Sequence, residues 1–349
     1  MPTRLHRTSL VRILPLLSAV ALLTSIGVDQ AAAQTCATMR KVNIGVSVAP
    51  PNVVHTAPFI AKELGFFSKH CLDANIIQFD GGAAGTSVTS VAQGSSLGNL
   101  PDLAIARGLK GKQVWGLAPK LPQAYVVTDA IKTPKDLKGK RLSAAGGVGG
   151  FNWLMGVEVL RQAGMKEEDA TFISQGTAGR LPGLLTGQLD AVFLHPEDVY
   201  LAQKQKPGLH VLVQLSDLLP NYPFNSYGAA DSVISKDRDI VVDAMAAMIE
   251  ANRAAYNDRA KVLPIIMKAT EKPQDAVEYS LDVLTKNCIW SVNEGSSKER
   301  SDWSMQRLVE VGDIKPEQKL AFEQVVDMKL ASDAVAKAGG RVKIGNCDL

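Results

Sequence analysis

A histidine stands two residues ahead of a glutamate in His195-Pro196-Glu197, at the end of the apolar run AVFL (191–194). A carboxylate so placed can orient an imidazole for proton transfer. The favoured reading is simpler: Glu197 complements the positive end of a helix dipole, and His195 alone meets a ligand. A second histidine, His55, follows the apolar stretch KVNIGVSVA (41–49) and is placed either to bond a ligand or to cap the helix near Pro58. Arg180 closes the loop QGTAGR and fits an anion partner as well as an exposed first-turn position. Phe151 and Tyr227 are candidates to stack on a planar ligand, whereas Trp153, Trp290 and Trp303 read as packing residues.

The loop AGGVGGFN puts four glycines among residues 146–150. Counting G-x-G-x-x-G from Gly147 gives Asn152 at the third glycine, and counting from Gly146 gives Val148 at the second. No Gly-Lys-Ser/Thr follows, so both nucleotide motifs are absent. What fits is either a tight strand-to-helix turn or helix-end amides facing a small anionic or carbonyl-bearing group. His55, His70, His195 and His210 are scattered and no cysteine pair is closely spaced, so neither a metal nor a cofactor is expected.

Short apolar strands alternate with amphipathic helices along most of the chain, the signature of mostly parallel sheets covered by helices. VNIGVSVA, ANIIQFD and QVWGLA belong to a first series; KRLSAA, ATFISQ, DAVFLHP and HVLVQL belong to a second, its first three strands each followed by a helical stretch. From Ile240 onward the periodicity is helical. The expected fold class is therefore α/β with two lobes. The first comprises 36–127 and 228–349, the second 128–227, with crossings near 126–130 and 225–231. Ligands of open parallel sheets bind beyond the carboxyl ends of the strands. That rule selects the loops that hold Pro51, Asn52 and His55; Gly82, Ala83, Ala84, Gly85 and Thr86; Gly147, Val148, Gly149, Gly150 and Phe151; Thr177; and His195, and the crossing between the lobes adds Asn225 and Tyr227.

Residues 1–33 read as an export signal: Arg4, Arg7 and Arg12 precede ILPLLSAVALLTSIGV, and Ala31-Ala32-Ala33 offers a cleavage site. Its apolar core of about 15 residues falls short of the roughly 20 that span a bilayer. A lipid attached at Cys36 is the lesser alternative, since Gln34 and Thr35 suit a lipid-attachment box poorly. The whole chain carries 38 Lys+Arg and 35 Asp+Glu, a net +3 that gives no electrostatic footprint for nucleic acid. In an oxidising compartment the four cysteines can pair. A helix over 58–70 returning along the strand 41–49 brings Cys71 beside Cys36, which leaves Cys288 for Cys347 by elimination.

The run HTAPFIAKELGFFSKHCLDANIIQFDGG, together with KTPKDLKGKRLSAAGG and LLTGQLDAVFLHP, resembles the periplasmic solute-binding proteins of the sulfonate/nitrate/thiamine-precursor (NMT1/THI5-like) type over about 41–240. The resemblance implies a type II binding-protein fold whose lobes close on a small organic solute, an anion such as a sulfonate or carboxylate or a thiamine-precursor-like compound. It implies a periplasmic ABC transporter component that acts as a monomer, has no enzyme activity and delivers its solute to an inner-membrane permease. Pro51, Asn52 and His55, the loop Gly82 to Thr86, and Gly147 to Phe151 would line the cleft. The family's acidic G-x-x-D segment has no counterpart after Gly94, where SSLGNLPD stands instead. Relatives on this scaffold include a desulfinase and a pyrimidine-precursor synthase, so an enzyme is the alternative, as is a sensory receptor subunit.

Overall fold

Ten strands and their covering helices are laid out in a computed structural model that describes residues 36–79 and 84–349. The expected signal, 1–33, lies outside the described residues, as do Gly82 and Ala83 of the expected site. In chain order the strands are β1 Arg40–Val46, β2 Leu72–Gln78, β3 Gly98–Asn99, β4 Gly111–Ala118 and β5 Ala124–Val127, then β6 Arg141–Ala145, β7 Thr171–Gln175, β8 Ala191–Leu194, β9 His210–Gln214 and β10 Asn225–Ala230.

Two sheets of five strands share one ordering. In the first, β1 pairs with β2 in parallel, and β10 lies antiparallel between β3 and β4. A parallel bridge from Ile44 to Leu97 joins these pieces, with Gly45 N–H to Leu97 O at 2.6 Å and Leu97 N–H to Asn43 O at 2.9 Å. The order is thus β2-β1-β3-β10-β4. The second sheet runs β7-β6-β8-β5-β9, with β6 parallel to β7 and β8, and β5 antiparallel to β8 and β9. Each sheet therefore has four parallel strands and one reversed strand, the one that directly follows a crossing between the sheets. The fold is the expected mostly parallel, two-lobed α/β architecture.

The crossings fall earlier than expected. β5 already lies in the second sheet and β10 already in the first, so the chain changes sheets over 119–123 and 215–224 rather than 126–130 and 225–231. Residues 124–127 and 225–227 consequently exchange sides relative to the expected lobe limits. Every residue of β5 and β10 is buried, and an all-buried strand carries no alternation to say which sheet it joins.

Burial explains the layers. Ile44, Trp115, Leu117 and Tyr227 of the first sheet pack on the helices Ala57–Glu63, Asp231–Asn257 and Gln274–Lys286 in one apolar core. Tyr125, Leu142 and Phe193 of the second sheet pack on Phe151–Gln162 in another. The expected helix over 58–70 is broken at Gly65, whose φ of +76° ends Ala57–Glu63 and starts Phe66–Lys69. The cysteines pair as expected, Cys36 with Cys71 and Cys288 with Cys347. Among the described residues no helix is long and apolar enough to cross a membrane.

Candidate functional site

The end of β1 leads into a short 3-10 turn, Val53–His55, and the end of β8 leads directly into the helix Pro196–Gln205, whose N-cap is His195. Pro196 at the first helical position fixes φ where an N–H would be unpaired anyway, so this strand-to-helix corner is rigid. These two corners belong to different sheets, yet their histidine rings lie 5.9 Å apart, centroid to centroid. Phe224, at the end of the second crossing, completes a triangle at 5.7 Å from His55 and 5.9 Å from His195. Phe151, which opens the helix after the glycine loop, stands 6.0 Å from Phe224 and 6.2 Å from Tyr222. The first crossing contributes Gln123, whose Nε2 lies 3.3 Å from His195 Nε2. Both sheets and both crossings thus converge on one spot.

Hydrogen-bond accounting at this spot is incomplete within the protein. With the Gln123 amide donating, His195 Nε2 accepts and its proton sits on Nδ1. That Nδ1, His55 Nδ1, Gln123 Oε1, Asn225 Oδ1 and Asn152 Oδ1 are buried and have no partner among protein atoms. Asn152 uses its Nδ2 on Ala145 O at 3.0 Å. Buried polar atoms are normally paired, so the three on His55, His195 and Gln123, residues linked to one another by the contacts above, mark a place built to be completed by something else.

Electrostatics keep both imidazoles neutral. Burial, and then the charge of Arg180, pushes His55 down to about 4. Burial also drives His195 well below its usual range, with Arg180, His55 and Lys272 adding to the effect. Arg180 is itself buried and donates to Phe193 O at 2.8 Å and Thr177 O at 3.1 Å. Burial lowers its pKa, while Asp198 and Glu197 oppose that shift. It is not the exposed first-turn residue that its position allowed.

Glu197 has no exposed surface. Its Oε1 accepts from Asn52 Nδ2 at 3.0 Å and from the Val53 N–H at 3.1 Å, and its Oε2 accepts from Ser280 Oγ at 2.9 Å. Burial, then the neighbouring Asp198, raises its pKa. Because its oxygens are engaged across the molecule, it does not serve His195 as an acid–base partner.

The remaining candidates are dispersed. Asn52 is held by Glu197 and Thr177 is half-buried beside Arg180. Ala84, Gly85 and Thr86 open the helix Ala84–Ala92, while Pro51 and Asn225 are buried. Val148 is 75% exposed, and Gly147 and Gly149 have φ of +88° and +81° with nothing near a built Cβ. Those two glycines therefore answer to backbone conformation, not to a close neighbour. Tyr227 is in the first sheet's core, its hydroxyl donating to Gly45 O at 3.0 Å. Sequence reasoning missed Gln123, Asn152, Phe224 and Ser280. The signal available for the first three was their position, in the crossings and at the helix start after the glycine loop; Ser280 gave none. Among the described residues no three His, Cys, Asp or Glu side chains are grouped to hold a metal, and every cysteine is in a disulfide.

The profile of the family described as NMT1/THI5 like matches residues 52–261. A protein named as a binding protein in Brucella abortus (strain 2308) is 28% identical over 195 residues, 55% of this chain. The chain spans 60% of that relative's length. Among solved structures, the periplasmic aliphatic sulphonate binding protein SsuA of Escherichia coli superposes with a TM-score of 0.67 at 21% identity, covering 84% of this chain and 99% of that one. The periplasmic nitrate-binding protein NrtA of Synechocystis PCC 6803 gives 0.67 at 13% identity, covering 86% and 89%. The desulfurization enzyme DSZB gives 0.63 at 14% identity, covering 85% and 99%.

Proposed function

The chain belongs to the NMT1/THI5-like family, and from that premise we propose that it is the periplasmic substrate-binding component of an ABC-type importer. It holds a small organic solute between its lobes, works as a monomer and presents the solute to an inner-membrane permease. The observation that carries this reading is the set of buried, unpaired polar atoms on His55, Gln123 and His195 around the Phe224 ring, four residues drawn from both sheets and both crossings. A solute placed there would touch every part that must move for the lobes to separate, which couples binding to closure. Neutral imidazoles and amides supply directional hydrogen bonds, and the Phe151 and Phe224 rings supply apolar area for an organic body. Arg180, whose charge acts on both histidines, favours an acidic solute such as a sulfonate, a carboxylate or a thiamine-precursor-like compound.

Binding without chemistry is the better fit. The desulfurization enzyme among the neighbours keeps catalysis open as a second reading, but here Glu197 is engaged elsewhere and every described thiol is oxidised. The test is a thermal-shift panel of sulfonates, carboxylates, pyrimidines and inorganic anions, with recovery of each hit. A solute at a hundredfold excess over its Kd stabilises the native state by about 2.7 kcal/mol. The expected result is one chemical class of hits, recovered unchanged and lost in His55→Ala and His195→Ala. Recovery of altered product would replace the importer reading with the enzyme; hits that survive both substitutions would move the site elsewhere.

A further inference from the structure

Glu197 sits on the turn that carries His195, and its main partners, Asn52 and Val53, sit on the turn that carries His55. Its third partner, Ser280, lies on Gln274–Lys286, a helix built into the first sheet's core through Val277, Leu281 and Leu284. The helix that bears Glu197 belongs instead to the second sheet's side, where Val199 and Ala202 pack with β8. One buried carboxylate therefore ties the second lobe to two separate elements of the first.

The contact does not stand alone. Asp198 pairs with Lys272 at 2.5 Å, Tyr200 Oη donates to Asp275 Oδ2 at 3.0 Å, and Lys204 reaches the same carboxylate. Tyr200 and Tyr279 rings lie 5.4 Å apart. The contacts to Asp275 are partly exposed and individually weak, whereas Asp198 is buried like Glu197, and a buried carboxylate leaves its partners stranded when it is removed. On another side of the molecule Arg307, whose helix packs in the first lobe through Met305, pairs with Glu158 of the helix Phe151–Gln162.

Resting on the importer reading above, we propose that Glu197 is a positioning residue that fastens the two histidine-bearing turns to one another, so that gripping the solute and closing the lobes are a single event. Displacement of either histidine disturbs a backbone turn anchored to this carboxylate, and loss of the carboxylate frees both turns at once. Glu197 itself touches no solute. Its expected signature is kinetic: the closed complex opens sooner, while first encounter, made with the lobes apart, keeps its rate.

The test compares the wild-type chain with Glu197→Gln and Ser280→Ala, with spin labels introduced through an unnatural amino acid at the exposed positions Lys62 and Lys135. Distances are first measured without added solute. Wild type is expected to give both a long and a short interlobe distance, and Glu197→Gln to lose most of the short population. Ser280→Ala, which leaves the carboxylate in place, should fall between them. Pentane-1-sulfonate is then used as the probe, with dissociation expected to be at least tenfold faster in Glu197→Gln and association changed less than threefold. Unchanged distances in both variants overturn the proposal, and so does a loss of affinity lying wholly in association. Should Glu197→Gln fail to fold, the Ser280→Ala distance decides by itself. If wild type ignores pentane-1-sulfonate, the sulfonate assignment fails while the distances still decide the fastening role.

Discussion

His55 reaches about 4 because its ring is withdrawn from water beside a buried guanidinium, so the folded chain refuses a proton that the unfolded chain accepts. The sign follows from linkage: between pH 6.5 and about 4 the unfolded state binds more protons, and stability falls as pH falls through that window. Shifts of this size correspond to about 3 kcal/mol at the acid end. His195 moves in the same direction for the same cause. Urea titrations from pH 7 to 4.5 should show the decline, with a shallower slope in His55→Gln; an equal slope in that variant would remove His55 from the account. The sequence made both histidines visible because each follows an apolar strand, where ligand loops of parallel sheets lie. The true partners of Glu197 were hidden, since Asn52 and Ser280 are 145 and 83 residues away in sequence. Arg180 was hidden likewise, because the carbonyls that make its burial tolerable become neighbours only through the fold.

At the scale of the element, two kinds of glycine behave differently. Gly149, at φ +81°, has open space around it, so a β-branched residue there meets backbone strain alone. Gly149→Val should cost about 1–2 kcal/mol, the penalty of the left-handed conformation. Gly116 is the opposite case: a Cβ built on it would come within 2.2 Å of Gly295 O. Overpacking of this sort costs about 1–3 kcal/mol or more, so Gly116→Ala is expected to be at least as damaging as the much larger change at Gly149. Chemical denaturation of both variants checks the ranking. The glycine run 146–150 was conspicuous in the sequence, whereas Gly116 stood unremarked inside QVWGLA. Clustering is legible in one dimension; the approach of two distant backbones is not. For the same reason the alternating strands and helices were readable, but the reversed strands β5 and β10 were not: nothing in AYVV or NSYGAA encodes an antiparallel neighbour from the other half of the chain.

Across the whole molecule the two sheets differ in how much sequence they need. Every strand of the second sheet lies within 124–214, a contiguous stretch. The first sheet draws on β1 to β4 and then waits for β10, and its apolar core is filled by side chains as late as Val335. Contacts between residues close in sequence form sooner, because less chain entropy is lost in closing their loops. The two halves of this nearly symmetric architecture are therefore asymmetric in time: the middle of the chain can collapse on its own, while its ends must find one another across an already folded insert. Pulse-labelled hydrogen exchange during refolding should show amides of β6 to β9 protected before those of β1 and β4, and simultaneous protection would argue against this order. Because β10 joins the first sheet only after the chain has passed through the second, the crossing at 215–224 becomes the last junction to set, taut only when both lobes have formed.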